Sequence, residues 1–169
     1  MKVGFEMNDS FECEPKHDFD LAANAKVALE SVCSGKALDS LSRYYSPEFV
    51  DHVNHMKFKG LEGARLSVES YTKILSDLEV VVKEQLTEGD RVTSRFVVSG
   101  KSFARAVRIN GITISRFKDG LIVEDWSVTD TLGMLRQLGT WRSILVGLRQ
   151  WKALKRGNRV LVQTPPAWP

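Results

Sequence analysis

The chain has 169 residues, enough to bury the core of one domain. With 43% hydrophobic and 27% charged residues it reads as an ordinary folded globular chain, and two cysteines, Cys13 and Cys33, are too few for a disulfide framework. The net charge of +3 divides unevenly: 7 of the 24 basic residues and none of the 21 acidic ones follow Asp130, so the body carries 17 − 21 = −4 and the tail +7.

Residues 1–17 show no period and are expected to be mobile. They carry no apolar h-region and read as no signal peptide, and no run of about 18 apolar residues follows anywhere. Free thiols and these absences predict a cytoplasmic location. Phe19, Leu21, Ala22, Ala25, Val27, Ala28 and Val32 recur at helical spacing, and Gly35 can end that helix. "KALDSLSRYY" sets Leu38, Leu41 and Tyr45 on one side of a second, short helix. "SPEFVDHVNHMKFKG" breaks the pattern, and its Ser46-Pro47 reads as a turn. A third helix is expected over Leu61–Asp77, with Leu66, Val68, Tyr71, Ile74 and Leu75 as its apolar side.

The period then changes from 3.6 to 2. Leu78, Val80 and Val82 share one strand face; Gly89 allows a turn; Val92, Phe96 and Val98 share the next. Asn110-Gly111 marks a turn or a bulge, and Lys118–Gly120 a hairpin turn. The last strand, Leu121–Thr129, runs into "DTLGMLRQLG". Helices followed by at least four strands in meander order predict an α+β fold, with helices covering one face of a curved antiparallel sheet.

Past Gly139 the period is helical again. Thr140 is placed to cap, and Trp141, Ile144, Leu145, Leu148, Trp151 and Leu154 form one face, with Arg142, Arg149, Lys152, Lys155 and Arg156 on others. This basic amphipathic helix is expected to pack on the protein or on a dimer mate. Peripheral membrane contact through residues 140–156 is the less favoured alternative. A nucleic-acid partner is not expected, because the body is acidic and no binding motif occurs. "LVQTPPAWP" reads as an extended, proline-stiffened end.

The ordered set "YYSPEFVDH", "GLEGAR", "LSDLEVVV", "EGDRV", "RFKDGLIVEDWSVTD" and "LGMLRQLG", spread over residues 44–139, resembles the SnoaL-like polyketide cyclase family of the nuclear-transport-factor-2-like fold. The resemblance implies a cone: a strongly curved sheet and N-terminal helices around an apolar pocket that takes an apolar or aromatic small molecule. It implies three segments: 1–17, a SnoaL-like domain at 18–139, and a C-terminal helix and tail at 140–169. It also implies a homodimer and ring closure by an aldol step without cofactor, with the aspartate that ends the last strand, here Asp130, as acid/base and His52 assisting. Where the family often has a "G-T-H" segment this chain has "GKSFARAV", with no histidine and a shortened connection.

Alternation along the last strand groups Ile122, Glu124, Trp126, Val128 and Asp130 on one face. If that face lines the pocket, Asp130 is a desolvated carboxyl suited to enolisation, with Trp126, Val128, Phe49 and Phe96 as walls and Arg116 as a polar anchor. The alternative is that Asp130 caps the helix that follows. Arg95 and Arg116 could hold an anionic group, or pair with acids on the surface. His52 and His55 stand i, i+3, but with no further Cys or His nearby no metal is expected. Epoxide hydrolysis through an Asp–Arg–Asp set, or a non-catalytic binding or dimerisation module, are the other readings this fold admits.

Overall fold

A computed structural model describes residues 20–54 and 56–156, with side chains as far as Leu148. The expected mobile segment 1–17, Cys13, His55 and the proline-containing end lie outside the described residues. The helical part opens with α1 (Leu21–Val27), capped by Asp20, whose carboxylate accepts from the Ala23 amide at 2.9 Å. It continues as one wider π-helical turn over Ala28–Val32, and Gly35 (φ +78°) turns the chain away. A 3₁₀ turn at Leu38–Ser40 and α2 (Leu41–Tyr44) follow. The third helix, α3 (Gly60–Thr72), stops short of the expected end.

Among the described residues six strands form one sheet: β1 (Tyr45–Val53), β2 (Met56–Lys59), β3 (Ser76–Glu88), β4 (Arg91–Ser102), β5 (Arg105–Lys118) and β6 (Leu121–Thr129). Their order is β2-β1-β6-β5-β4-β3. The α+β class holds, but the sheet is not wholly antiparallel: β1 pairs with β6 in parallel. The segment read as a turn is this strand. Between Tyr45↔Ile122 and Val50↔Glu124 β1 advances five residues and β6 two, so Pro47 falls in a bulged stretch where no ladder bond is required of it.

Two further irregularities decide which side chains face inward. In β6 the pairing steps from Phe117↔Ile122 to Arg116↔Glu124, which leaves Val123 as an extra residue and reverses the alternation. Ile122 is buried, yet beyond the bulge Asp125, Ser127 and Thr129 face inward while Glu124, Trp126 and Val128 face out. The expected single face of Ile122, Glu124, Trp126, Val128 and Asp130 therefore does not form. In β5 the chain runs unbroken through Asn110-Gly111. Gly111 lies opposite Phe96, and a Cβ there would sit 2.5 Å from its ring, so the glycine makes room rather than a turn.

The helices lie on the concave side. Ala25 and Ala28 are fully buried, their small side chains letting α1 approach β3 and β4 closely. Two apolar clusters result. One joins Leu29, Leu78, Val80, Phe96 and Val98 to Met134 and Leu138; the other joins Val32, Leu41, Tyr45 and Phe49 to Val92, Phe117 and Ile122. Helices α4 (Thr131–Leu138) and α5 (Thr140–Arg156) follow β6. Val146 is buried and Ser143 Oγ lies 3.0 Å from the Leu135 carbonyl, so α5 touches the body along one narrow line.

Candidate active site

A cavity of about 80 Å³ lies between the π-helical turn, α3 and the concave face of the sheet, bounded by members of both apolar clusters. Its polar groups lie mainly along the β1–β6 side. Asp51 and Asp125 are direct partners across the parallel β1–β6 ladder, and both are buried. Ser67 of α3 hydrogen-bonds the Asp51 carboxyl, and Ser115 of β5 that of Asp125. Asp125 Oδ1 is buried and has no hydrogen-bond partner among the described residues. An orphaned carboxyl oxygen in an apolar wall is costly, and it marks where a guest's polar atom would be accepted.

Further along, Tyr71 Oη lies 3.3 Å from Thr129 Oγ1. Asn54, in a left-handed conformation (φ 51°) after β1, donates to the same hydroxyl at 3.1 Å and accepts from the Thr129 amide at 3.1 Å. Tyr45 Oη and Cys33 Sγ are 3.5 Å apart. No Lys, Arg or His lines the cavity among the described residues.

Desolvation governs the electrostatics. It pushes the Asp51 carboxyl up to about 7, against the opposing Ser67 hydrogen bond. It pushes Asp125 up to about 8, helped by the neighbouring Asp51 charge and opposed by Ser115. Two carboxyls this close hold protons as a pair, and one is ionised before the other. Burial also pushes the Cys33 thiol up to about 12, so it is a packing group rather than a nucleophile.

The residues singled out from the sequence divide between two faces. Phe49 and Phe96 line the cavity as expected. Asp130 does not: it is exposed at the start of α4, where its Oδ1 accepts from the Gly133 amide at 2.7 Å. The capping alternative is the one realised, because the strand ends one residue earlier and the carboxylate turns to the open helix end. His52, Trp126, Val128 and Arg116 gather on the convex face. The His52 ring stacks on Trp126 at 5.6 Å and 5°, and Arg91 lies 5.9 Å over the same indole. Glu124 ties the group together, 3.0 Å from His52 Nε2 and 2.7 Å from Arg116 Nη2. Partial burial acts upward on the Glu124 carboxyl, but these two hydrogen bonds outweigh it and hold the carboxyl below its usual value. Arg95 pairs with Glu84 at 2.7 Å on the surface. The predicted pocket wall of Trp126 and Val128 is thus a solvent-facing patch. The cause is the extra residue in β6. No group of three or more metal-binding side chains occurs among the described residues.

A strand meander closed on a parallel β1–β6 pair, wrapped around a cavity with carboxyls in its wall, invites comparison with known proteins. The profile of SnoaL-like polyketide cyclases matches residues 23–138. The chain belongs to this family. Among proteins with curated functions none matches the sequence. Among solved structures, IdmH of Streptomyces antibioticus, assigned as a polyketide cyclase, shares 22% identity at a TM-score of 0.64, over 71% of this chain and 99% of that one. A protein of Bacillus cereus with the same assignment shares 25% identity at 0.59, over 69% and 76%. PrhC of Penicillium brasilianum shares 13% at 0.64, over 80% and 94%. The matched region of the SnoaL-like profile ends with α4, so α5 lies beyond it.

Two signals in the sequence point to the cavity pair. Asp51 alternates with Phe49 and Val53, both apolar, and Asp125 lies two residues from Ser127 and four from Thr129.

Proposed function

We propose that the chain is a cyclase or isomerase that needs no cofactor for its proton transfers, with the Asp51–Asp125 pair as its acid and base. The substrate class is an uncharged, carbonyl-containing, polyketide-like small molecule. The observation that carries this is the unpartnered Asp125 Oδ1 beside a second buried carboxyl in a cavity lined by no cation. The role that the motif assigned to Asp130 passes to Asp125, and the assisting role of His52 to Asp51.

In the singly protonated pair, the ionised carboxyl takes the proton from a carbon next to a carbonyl. The C–H electron pair becomes the enol double bond, and the carbonyl oxygen takes a proton from the other carboxyl. In a cyclase the enol carbon then attacks a second carbonyl of the same molecule, the enol O–H proton returns to the carboxyl that gave it, and the new alkoxide takes the proton held by the other carboxyl. In an isomerase the proton returns to a different carbon. Apolar walls keep the pair desolvated and so near neutral pH, where both halves of the exchange are accessible. The free space is below the few hundred Å³ that encloses a whole drug-sized ligand, so the cavity suits the reacting end of a molecule.

The epoxide-hydrolase reading has less support. Its arginine has no counterpart in the cavity wall among the described residues, and Arg116 is committed to Glu124 on the other face. A pure binding module needs only one of the two carboxyls to hold a guest's polar atom, whereas proton exchange uses both.

The test is deuterium exchange at the acidic carbon of apolar 1,3-dicarbonyl compounds, followed by NMR. Exchange by the wild type that disappears in Asp125→Asn supports the reading. Exchange indifferent to both Asp125→Asn and Asp51→Asn contradicts it.

We also propose that a second copy covers the convex face. Cross-strand pairing aligns Leu86, Thr93, Ile114, Trp126 and His52 in one row, with Ile112 and Val128 beside it. Leu86 is 76% and Val128 62% exposed, where a solvated sheet face would be polar. Flanking charges are balanced, Glu84 with Arg95 and Glu124 with Arg116, as a two-fold self-contact requires.

A further inference from the structure

Helix α5 has an apolar face that the body does not cover. Its contact with the body runs through Ser143 and Val146. Trp141 (83% exposed), Ile144 (52%), Leu145 and Leu148 stand on the other side. In an 8-residue stretch this is a large apolar area to leave in water, and α5 lies beyond the region that makes the chain a family member.

The charge around that face separates the possible occupants. From Thr131 onward there are seven basic residues and no acidic one, and Arg149, Lys152, Lys155 and Arg156 all fall in the last two turns of α5. A two-fold contact between two such faces would set basic groups against basic groups with no acid to offset them. Docking α5 on the body of another copy would offer its cations little, because residues 20–130 carry 15 basic and 16 acidic groups, 15 − 16 = −1. The convex sheet face has the balanced charge a self-contact needs; α5 does not. A planar anionic surface satisfies both features of the helix at once: the acyl boundary takes Trp141, Ile144, Leu145 and Leu148, and the headgroups take the cations.

We infer that α5 binds the surface of an anionic lipid bilayer, lying in the interface with Trp141 and Leu145 inserted. No helix among the described residues is long and apolar enough to cross a membrane, so the contact is peripheral.

The experiment is flotation of the full chain with vesicles of phosphatidylcholine alone and of phosphatidylcholine with phosphatidylserine. Each basic residue at the surface strengthens binding by roughly fivefold, so the wild type should float only with the serine lipid and be released by high salt. The double variant Trp141→Glu/Leu145→Glu changes exposed positions only. It should bind at least about tenfold more weakly with an unchanged circular dichroism spectrum. Equal binding to both lipids, no binding to either, or binding unaffected by the double variant would each overturn the inference. So would a loss of oligomer mass in the double variant, because a second copy would then be what covers the face.

Discussion

Asp51 and Asp125 face each other across the one parallel pairing of the sheet, one on a strand that precedes α3 and one on the strand that closes the meander. Neither would be unusual alone. Their pairing depends on two bulges. The one in β1 absorbs Pro47, and the one in β6 turns Asp125 inward and Trp126 outward.

The first prediction separates Asp125 from Asp130. Asp125→Asn should abolish proton exchange on a carbonyl substrate while the fold persists. Asp130→Ala should cost about 0.5–2 kcal/mol of stability through the lost cap and leave exchange unchanged. Thermal melts and exchange rates measured on both variants decide it; loss of exchange in Asp130→Ala alone would return the base to the end of the strand.

The pH dependence follows from the raised carboxyls. The reactive state has one proton on the pair, so the rate should rise as the first carboxyl ionises near 7 and fall as the second does near 8. Stability moves in one direction. Below about pH 3 both carboxyls are protonated in the folded and unfolded states alike. As pH rises from there, the unfolded chain ionises them while the folded one keeps its protons, so stability falls until pH passes the folded values. Melting of wild type and Asp125→Asn at pH 5 and pH 8 checks this: the variant should gain on the wild type as pH rises. A gap that stays constant would mean the carboxyl is already ionised in the fold.

Gly111 and Phe96 give a packing prediction. Gly111→Ala drives a methyl into the Phe96 ring, because β5 cannot move away from β4 without losing its ladder. The expected cost is about 1–3 kcal/mol, and each kcal/mol lowers Tm by about 2–4 °C in a domain of this size. Adding Phe96→Leu should return part of the loss. Additive losses would show that the two residues do not touch.

On the convex face, Trp126→Glu puts a charge in the middle of the apolar row. It should shift the species seen by analytical ultracentrifugation from dimer to monomer while exchange at the cavity survives. A wild type that is monomeric at high concentration would remove the proposed interface.

Much of the fold was legible because its signals are local. The helical stripe of α1, the alternation in β3 and β4 and the turns at Gly89 and Asp119-Gly120 all read correctly from spacing. The class followed from the same spacing, and the family from the resemblance of the ordered motifs to SnoaL-like cyclases. The failures in β1 and β6 share one cause: a bulge has no local signature. Ser46-Pro47 looks like a turn unless one knows that β6 lies alongside and skips those residues. The true β4–β5 turn, Phe103-Ala104, takes positive φ at both residues without a glycine or asparagine to announce it. The cavity carboxyls were hidden the same way. A strict two-residue period places Asp125 outside and Trp126 inside, and only the extra residue at Val123 reverses them.

The most direct measurement is a titration of the aspartate side-chain carboxyl carbons by NMR, with Asp51→Asn and Asp125→Asn to assign the two cavity signals. The account predicts two carboxyls that stay protonated through pH 5 and titrate in the neutral range, and each substitution should shift the signal that remains. If every aspartate carboxyl is ionised by pH 5, the pair is not desolvated and cannot serve as acid and base.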